Sequence, residues 1–502
     1  MMWTLRRFFW NWLLLQRFKA NKPRRAPLPT DDDRKLGTKP LGERYPGIPI
    51  PNVQVADHVP PDELLRFKLW FTGVQADVGK VFHQNQPKLP PVGPDLDEEL
   101  TRAYPARRRA LFPGPVRPKE YEGSVDLGYL AVAGPYACLL EPAPEGGYQW
   151  DLRHLDGYEI HDGLRPLGVR VLFRVDEAAR RLVPVEIDCD LGTCRPGEAG
   201  WEAAQRIALC AGTNFLSLIR HFNNIHLVAV AQFAVATRNH LAADHPVRRL
   251  LWPHVWGTQY TNEAVTEGLM MKAGDFEGVF AFTHQGMCRL FQDWYDRYDI
   301  RVMDPRADAE RQGIVGGGFD VPALENRLAH LDVMTAHVRR YLAVYYGSDE
   351  AIRNDAGINA WVADLERRVP GGIRPLGDPL TVDGLVRLLA AYIYVGTVDH
   401  EVLGTALWNY QLWTDVQPVR VYENGQRQPV DVYQRLVNYN FILNIRRAQL
   451  VQDFSYLALD PDGAACFRTF HAELQALQAR LDQEEHAYWK MYPNILESSM
   501  NG

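Results

Sequence analysis

The 502-residue chain has few cysteines and none of the short motifs that mark the commonest cofactor sites. Its six cysteines are too few for a disulfide scaffold, and no two have the CxxC spacing of a zinc ribbon or a thioredoxin site. A reduced, cytoplasmic setting is therefore expected. The run Gly316-Gly317-Gly318 is not followed by Lys-Ser or Lys-Thr, which excludes a phosphate-binding loop. G-x-S-x-G and G-x-G-x-x-G are also missing, which argues against a serine-hydrolase elbow and a dinucleotide fingerprint.

The chain also lacks a surplus of positive charge. It has 55 Lys and Arg against 62 Asp and Glu, a formal net charge of −7. Binding nucleic acid by bulk electrostatics needs a basic surface, so nucleic acid is not an expected partner. The composition, 46% hydrophobic and 23% charged, is that of a globular protein with a large core.

No hydrophobic run is long enough to span a membrane, which takes about 20 residues. Residues 1–20 mix aromatic, leucine and basic side chains, as in an amphipathic segment lying in a membrane interface. The alternatives are docking of this segment on its own protein, or a disordered tail. Residues 21–61 are rich in proline, glycine and charge and predict a linker. Residues 62–502 are expected to form one large domain. We expect a cytoplasmic protein, with a peripheral membrane contact through residues 1–20 as one of the alternatives for that segment.

Long stretches of this domain have apolar residues every three or four positions, which predicts helices. Residues 169–175 and 182–187 are rich in branched apolar residues on either side of a turn, which predicts a β-hairpin. The expected fold class is therefore mainly α, with a small β-hairpin or sheet region near the start of the large domain. The predicted helices are 62–77, 201–243, 320–347, 351–369, 381–413, 431–457 and 463–491.

His400 lies between Asp399 and Glu401 near the end of the apolar stretch 385–398. An imidazole flanked by two carboxylates in a buried helix is costly unless it is paired or bound to a metal. The sequence His400-Glu401 begins the H-E-x-x-H zinc motif, but the fifth residue is Gly404, so that motif is absent.

His221 and His226 lie in a second apolar stretch, five residues apart. Fifteen histidines in 502 residues make such a pair common by chance, and His240 with His245 repeats the spacing. In a regular α-helix residues five apart are separated by about 140°. A π-bulge would bring both rings to one face, so this pair is a candidate metal site only if the helix is widened there.

Four segments, in this order, resemble the catalytic domain of lipoxygenases. The similarity as a whole extends over roughly residues 130–502, and Leu182–Ile187 with Trp201–Gln205 resembles the stretch that precedes these segments in the family. The four segments are HPVRRLLWPHVWGTQYTNEAVTEGL (245–269), YYGSDEAIRNDAGINAWV (345–362), AYIYVGTVDHEVLGT (391–405) and YPNILESSMNG (492–502).

The resemblance implies a helical catalytic domain around one non-haem iron, with manganese as an alternative metal. By correspondence with the family's ligand positions, the metal ligands are His221, His226, His400 and the terminal carboxylate of Gly502. An imidazole and carboxylate ligand set of this kind suits non-haem iron. The family's front β-sandwich domain has no counterpart, as expected for a compact bacterial member.

The resemblance also places three residues near the substrate: Val265, Leu403 and Gly404. Val265 stands where the family usually has Ala or Gly, a position associated with stereochemistry. Gly404 stands where the family has Asn, His or Ser as a further ligand, and glycine has no side chain to offer. This departure has two interpretations: an open coordination position, or a glycine that only allows close helix packing.

The resemblance therefore implies a dioxygenase that inserts O2 into polyunsaturated fatty acids to give hydroperoxides. One alternative keeps the fold and the iron but changes the chemistry, to hydroperoxide rearrangement or oxidation of another substrate. The other is a lipid-binding protein without catalytic activity. Metal content separates the last alternative from the first two, and conjugated-diene formation separates the first from the second.

Overall fold

A computed structural model describes residues 25–32, 34–63, 117–121, 125–426, 428–429, 432–433, 435–436 and 448–500. The predicted segment 1–20, most of the predicted helix 62–77 and Gly502 lie outside the described residues. Helices dominate the rest, as the fold class predicted. The α-helices are Leu41–Arg44, Leu127–Ala133, Trp201–Phe215, Ala231–His240, Pro246–Val255, Thr258–Val265, Asp275–Val279, His284–Tyr295, Pro305–Arg311, Pro322–Tyr345, Asp349–Arg353, Ala356–Arg368, Val382–Tyr394, Leu407–Gln411 and Pro461–Leu481.

Other helical turns connect or widen these α-helices. Wide π-type turns lie at Leu216–Val230, Thr266–Met270, Val395–Asp399 and Val402–Ala406. Short 3-10 turns lie at Lys119–Tyr121, Pro135–Leu139, Arg153–Gly157, Ile300–Met303, Arg374–Leu376, Ser455–Leu457 and Pro493–Ile495.

Two long helices with π-type segments cross at the centre of the molecule. We call residues 201–240 the first long helix and residues 382–411 the second long helix. The Leu216–Val230 segment of the first is buried throughout, so its apolar residues contact protein on every side. At Gly396 an added Cβ would lie 3.8 Å from Val230 Cγ2, so the two backbones pass close together there. The Gln411 amide donates to Thr213 Oγ1 at 2.7 Å and Ser217 Oγ at 2.8 Å, which joins the helices further along.

The predicted hairpin is present and belongs to a larger sheet. Five antiparallel strands lie in the order β3-β4-β5-β6-β7, and β5 and β6 are the predicted pair. A small hairpin, β1-β2, forms a second sheet. The strands are β1 Thr38–Pro40, β2 Gln54–Ala56, β3 Glu141–Pro142, β4 Tyr148–Asp151, β5 Arg170–Asp176, β6 Arg181–Cys189 and β7 Gly192–Cys194.

One face of the five-stranded sheet packs against the helical core. Trp150 on β4 and Phe173 on β5 are fully buried, with ring centroids 5.3 Å apart. The short helix Leu127–Ala133 lies against β6, and an added Cβ at Gly128 would come within 2.1 Å of the Leu182 carbonyl oxygen. Glycine is therefore required at that contact between helix and strand.

The described part of the predicted linker, residues 25–32 and 34–61, lies on the helical core. Trp252 Nε1 donates to the Pro27 carbonyl at 2.6 Å, and Arg248 Nη2 donates to the Thr30 carbonyl at 2.7 Å. Ile48 and Ile50 are fully buried in the main core. The division at residue 61 stays a prediction, because residues 64–116 lie outside the described part of the chain.

Three predicted helices are wrong in part. The predicted helix 351–369 is interrupted, because Asp349–Arg353 ends before Ala356–Arg368 begins with Asp355 as its N-cap. The described residues 448–454 of the predicted helix 431–457 are extended or bent, with a bridge from Gln449 to Glu497 and a backbone bond from Leu450 N to Leu496 O. The predicted helix 463–491 is observed as Pro461–Leu481. After Leu481 the apolar residues pack against other elements instead of continuing the helical stripe, and Trp489 and Met491 are buried there.

Among the described residues, no helix has the length and apolar character needed to cross a membrane.

Candidate metal centre

Two histidines of the first long helix face the same side because that helix is widened around them. His221 and His226 both lie in the π-type segment Leu216–Val230. Five residues are close to one full turn of such a segment, whereas in an α-helix they would be about 140° apart. The ring centroids are 5.0 Å apart. The condition that the sequence set for this pair, a local widening of the helix, is therefore met in the structure.

His400 of the second long helix completes a triangle of buried imidazoles. Its ring centroid is 4.9 Å from that of His221 and 5.1 Å from that of His226. One ring nitrogen from each of the three histidines lies within 4.8 Å of the other two. The structure thus brings together residues that are up to 179 positions apart in the sequence.

The hydrogen bonds of His226 determine which of its ring nitrogens is free. Asn262 Nδ2 donates to the His226 carbonyl at 3.0 Å, so Asn262 Oδ1 is left as an acceptor. That oxygen lies 3.1 Å from His226 Nδ1, which must therefore carry the proton and donate. The lone pair of His226 is consequently on Nε2, which points at the centre of the triangle.

The other two histidines also direct Nε2 inward. His400 Nε2 lies 3.2 Å from His226 Nε2, while His400 Nδ1 lies 3.4 Å from Glu401 Oε1. His221 Nε2 is buried and has no hydrogen-bond partner among the described residues. When both rings carry their proton on Nδ1, two lone pairs face each other at 3.2 Å, and a cation between them removes the repulsion.

This donor set fits a bound transition metal. Two nitrogens bonded to one ion at about 2.1 Å and at right angles lie about 3 Å apart, which matches the separation of the His226 and His400 nitrogens. Burial lowers the pKa of His221 well below its usual value and lowers that of His226 to about 3. Both rings are therefore neutral near pH 7, the form that binds a metal. Their role as ligands stays a prediction.

The other histidine pair has different partners. His240 Nε2 lies 3.0 Å from Asp364, and His245 Nε2 lies 3.2 Å from Asp355. His245 Nδ1 also accepts from the Val247 backbone N–H and so caps the helix Pro246–Val255. The same five-residue spacing therefore serves contacts with carboxylates and helix capping here.

The chain segment that leads to Gly502 runs beside the helical core. His254 Nδ1 donates to the Ser498 carbonyl at 2.6 Å, and Ser499 Oγ donates to the Trp256 carbonyl at 3.3 Å. Ser499 and Met500 are fully buried. Because residues 501 and 502 lie outside the described part of the chain, the ligand role of Gly502 stays a prediction.

The three predicted substrate residues lie in different surroundings. Leu403 is fully buried, and Val265 is half-buried against the main core. An added Cβ at Gly404 would lie 3.2 Å from His221 Cε1 and 3.3 Å from His221 Nε2. The imidazole of His221 thus occupies the space next to residue 404, which favours the close-packing interpretation of this glycine. The substrate contacts of all three residues stay predictions.

Replacing Gly404 with alanine is expected to weaken metal binding roughly tenfold, because the His221 ring must move by a few tenths of an ångström. The matched control is Gly396→Ala on the same helix, where the new Cβ would make an ordinary 3.8 Å contact with Val230. Both changes favour the helix, so only the push on His221 distinguishes them. Metal dissociation constants measured by chelator competition check this, and equal constants for the two variants would contradict it.

Sequence reasoning missed Asn262 and the bonding role of Glu401. Asn262 lies 36 residues from His226, in the helix Thr258–Val265, and only the tertiary fold brings them together. In the sequence Asn262 is a single amide side chain, and no pattern around it links it to His226. Glu401 was visible as a buried acid beside His400, but its hydrogen bond to the ring could not be inferred from adjacency.

Comparison with known proteins points to one family. Residues 195–436 match the family model described as Lipoxygenase. The chain is 30% identical over 249 residues to linoleate 9/13-lipoxygenase of Pseudomonas aeruginosa, covering 46% of this chain and 35% of that protein. It is 22% identical over 242 residues to manganese lipoxygenase of Pleurotus sapidus, covering 46% and 37%. The matches thus span little more than a third of these curated relatives.

The fold also matches a solved structure. Coral 8R-lipoxygenase superimposes with a TM-score of 0.75 at 16% identity, covering 94% of this chain and 80% of that one. At this identity the similarity concerns the fold alone.

Proposed function

Because this chain belongs to the lipoxygenase family, we propose that it is a metal-dependent dioxygenase that adds O2 to polyunsaturated fatty acids. The product is the fatty acid hydroperoxide, which contains all atoms of both reactants. The observation that carries the proposal is the convergence of three buried imidazole nitrogens on one point. The linoleate named for the bacterial relative supports a fatty acid as substrate.

In this proposal His221, His226 and His400 hold one non-haem iron, with manganese as the alternative. The bound metal supplies the one-electron and O2 chemistry that amino-acid side chains lack. The protein contributes orientation and the exclusion of water. Asn262 fixes the ring of His226, and Phe222 stacks on that ring at 4.9 Å, so the ring is held on two sides.

Chemistry on another substrate is the second candidate, and Gly404 is the observation that favours it. Close packing against the His221 ring explains why residue 404 is glycine, and the same glycine leaves this position without a side chain that could bind the metal. A metal with fewer protein ligands has a different redox potential, since ligand identity tunes the metal. Hydroperoxide rearrangement is one reaction that this second candidate includes.

Iron-loaded protein is expected to consume O2 and to form conjugated diene when given linoleate. Removal of the metal with a chelator should abolish both signals, and iron should restore them. The second candidate is tested in a parallel assay, in which the protein receives linoleate hydroperoxide without linoleate and consumption of the hydroperoxide is measured. Hydroperoxide consumption without any diene formation from linoleate would replace the first candidate with the second, and activity that survives metal removal would contradict both.

A further inference from the structure

Glu401 carries a buried carboxylate that lies directly behind His400. The residue is 8% exposed. Its Oε1 lies 3.4 Å from His400 Nδ1, and its Oε2 accepts a hydrogen bond from Thr405 Oγ1 at 2.6 Å. Thr405 is one helical turn further on, so it fixes the carboxylate in place. The second long helix therefore supplies both the ring and the groups that contact its far side.

No Lys or Arg forms an ion pair with Glu401 within the part of the chain that the structure describes. A buried carboxylate without a compensating positive charge is costly. The group that Glu401 does contact is the imidazole of His400, whose opposite nitrogen points into the candidate metal centre. A cation bound at that nitrogen would supply the missing charge through the ring.

The carboxylate on the other side of His400 has a different environment. Asp399 Oδ1 lies 3.5 Å from Arg327, and the positive charge of Arg220 is also close enough to act on it. Asp399 is therefore compensated by arginines and has no hydrogen bond to the His400 ring among those that the structure describes. The two acids that flank His400 differ in what they contact, although both are buried.

We propose that Glu401 is a positioning residue of the metal centre: it accepts the Nδ1–H of His400 and so holds Nε2 toward the ion. This inference rests on the proposed metal site. A carboxylate hydrogen-bonded to the far nitrogen of a ligating imidazole fixes the tautomer and the ring orientation and makes the ligand more basic. Asn262 does the same for His226 with a neutral amide, so the two ligands differ in the charge behind them.

The test compares two replacements of Glu401 of nearly the same size. Glu401→Leu removes the acceptor, and Glu401→Gln keeps an acceptor oxygen but removes the charge. Dissociation constants for Fe2+, measured without oxygen, and for Co2+ are obtained by chelator competition on the full chain. We expect Glu401→Leu to weaken binding about 10- to 100-fold and Glu401→Gln to recover most of that loss. Thermal unfolding of the metal-free proteins should show no loss of stability in either variant, which separates positioning from a purely structural role.

Two further variants separate the hydrogen bond from the charge. Asp399→Asn removes a charge at the same distance in sequence from His400 without removing a bond to its ring. Thr405→Val removes the hydroxyl that holds Glu401 and should give a smaller loss of affinity in the same direction as Glu401→Leu. The contrary result is that Asp399→Asn and Glu401→Gln lower metal affinity equally and that Glu401→Gln binds metal no more tightly than Glu401→Leu. The charge alone would then explain the effect, and the positioning role of Glu401 would be wrong.

The outcome also distinguishes this inference from the proposed function. If Glu401→Leu binds metal as tightly as the natural chain while His226→Ala has lost it, the inference is wrong and the metal site stands. If His226→Ala binds metal as tightly as the natural chain, the metal site is wrong and the role of Glu401 falls with it.

Discussion

His226→Ala is expected to lower metal affinity at least about 100-fold. This is a larger decrease than the one expected when a group that only contacts a ligand is removed. The reason is geometric, because His226 Nε2 lies 3.2 Å from His400 Nε2 and a bound ion would contact both nitrogens. Alanine leaves the imidazoles of His221 and His400, and within the described part of the chain no other histidine, cysteine or carboxylate forms a cluster with them. Metal content after dialysis and the dissociation constant from chelator competition check this result.

The chain contains a matched control for this variant. His240 belongs to a second pair with the same five-residue spacing, but its Nε2 contacts Asp364 at 3.0 Å. His240→Ala should therefore leave the metal dissociation constant unchanged. A similar loss in both variants would mean that general destabilisation, and not ligation, explains the result for His226.

Asp308→Ala is expected to lower the free energy of unfolding by about 3–5 kcal/mol, the usual cost of leaving a buried charge without its partner. Asp308 is buried and accepts from Arg220 at 3.1 Å and from Arg311 at 2.6 Å. Arg220 is itself buried and precedes His221, so the same ion pair holds the first long helix beside the metal centre. Urea unfolding of the metal-free protein measures the difference.

An exposed ion pair provides the comparison. Asp320 bonds to Arg180 at 2.5 Å, but both side chains are more than half exposed. Water and salt screen such a pair, so Asp320→Ala should change the unfolding free energy little. If the two variants have the same free energy of unfolding, the buried pair of Asp308 and Arg220 does not stabilise the fold as the structure indicates.

The three histidines were candidates because each is a polar ring in an apolar stretch that the core must bury, and the resemblance to lipoxygenases joined them into one predicted ligand set. The sequence predicted the β5-β6 hairpin because two branched apolar runs flank a turn. It could state only a condition for His221 and His226, since a π-type widening depends on the packing around a helix and not on local composition. That condition turned out to be met over Leu216–Val230.

Features that depend on contacts distant in sequence could not be predicted. Asn262 reaches His226 from a separate helix, and the contact between Gly404 and His221 joins two helices. The error at residues 448–454 has the same origin, because that segment bonds to residues near 497 instead of to itself. Apolar periodicity alone cannot tell a helix from an extended segment that is buried by tertiary contacts.

We propose that one metal ion lies between His221, His226 and His400. Anomalous X-ray scattering from crystals of the iron-loaded protein, recorded on both sides of the iron absorption edge, locates the ion directly. We expect one strong peak per chain, within bonding distance of Nε2 of all three histidines. A peak elsewhere, or no peak in protein that contains iron by elemental analysis, would contradict the account.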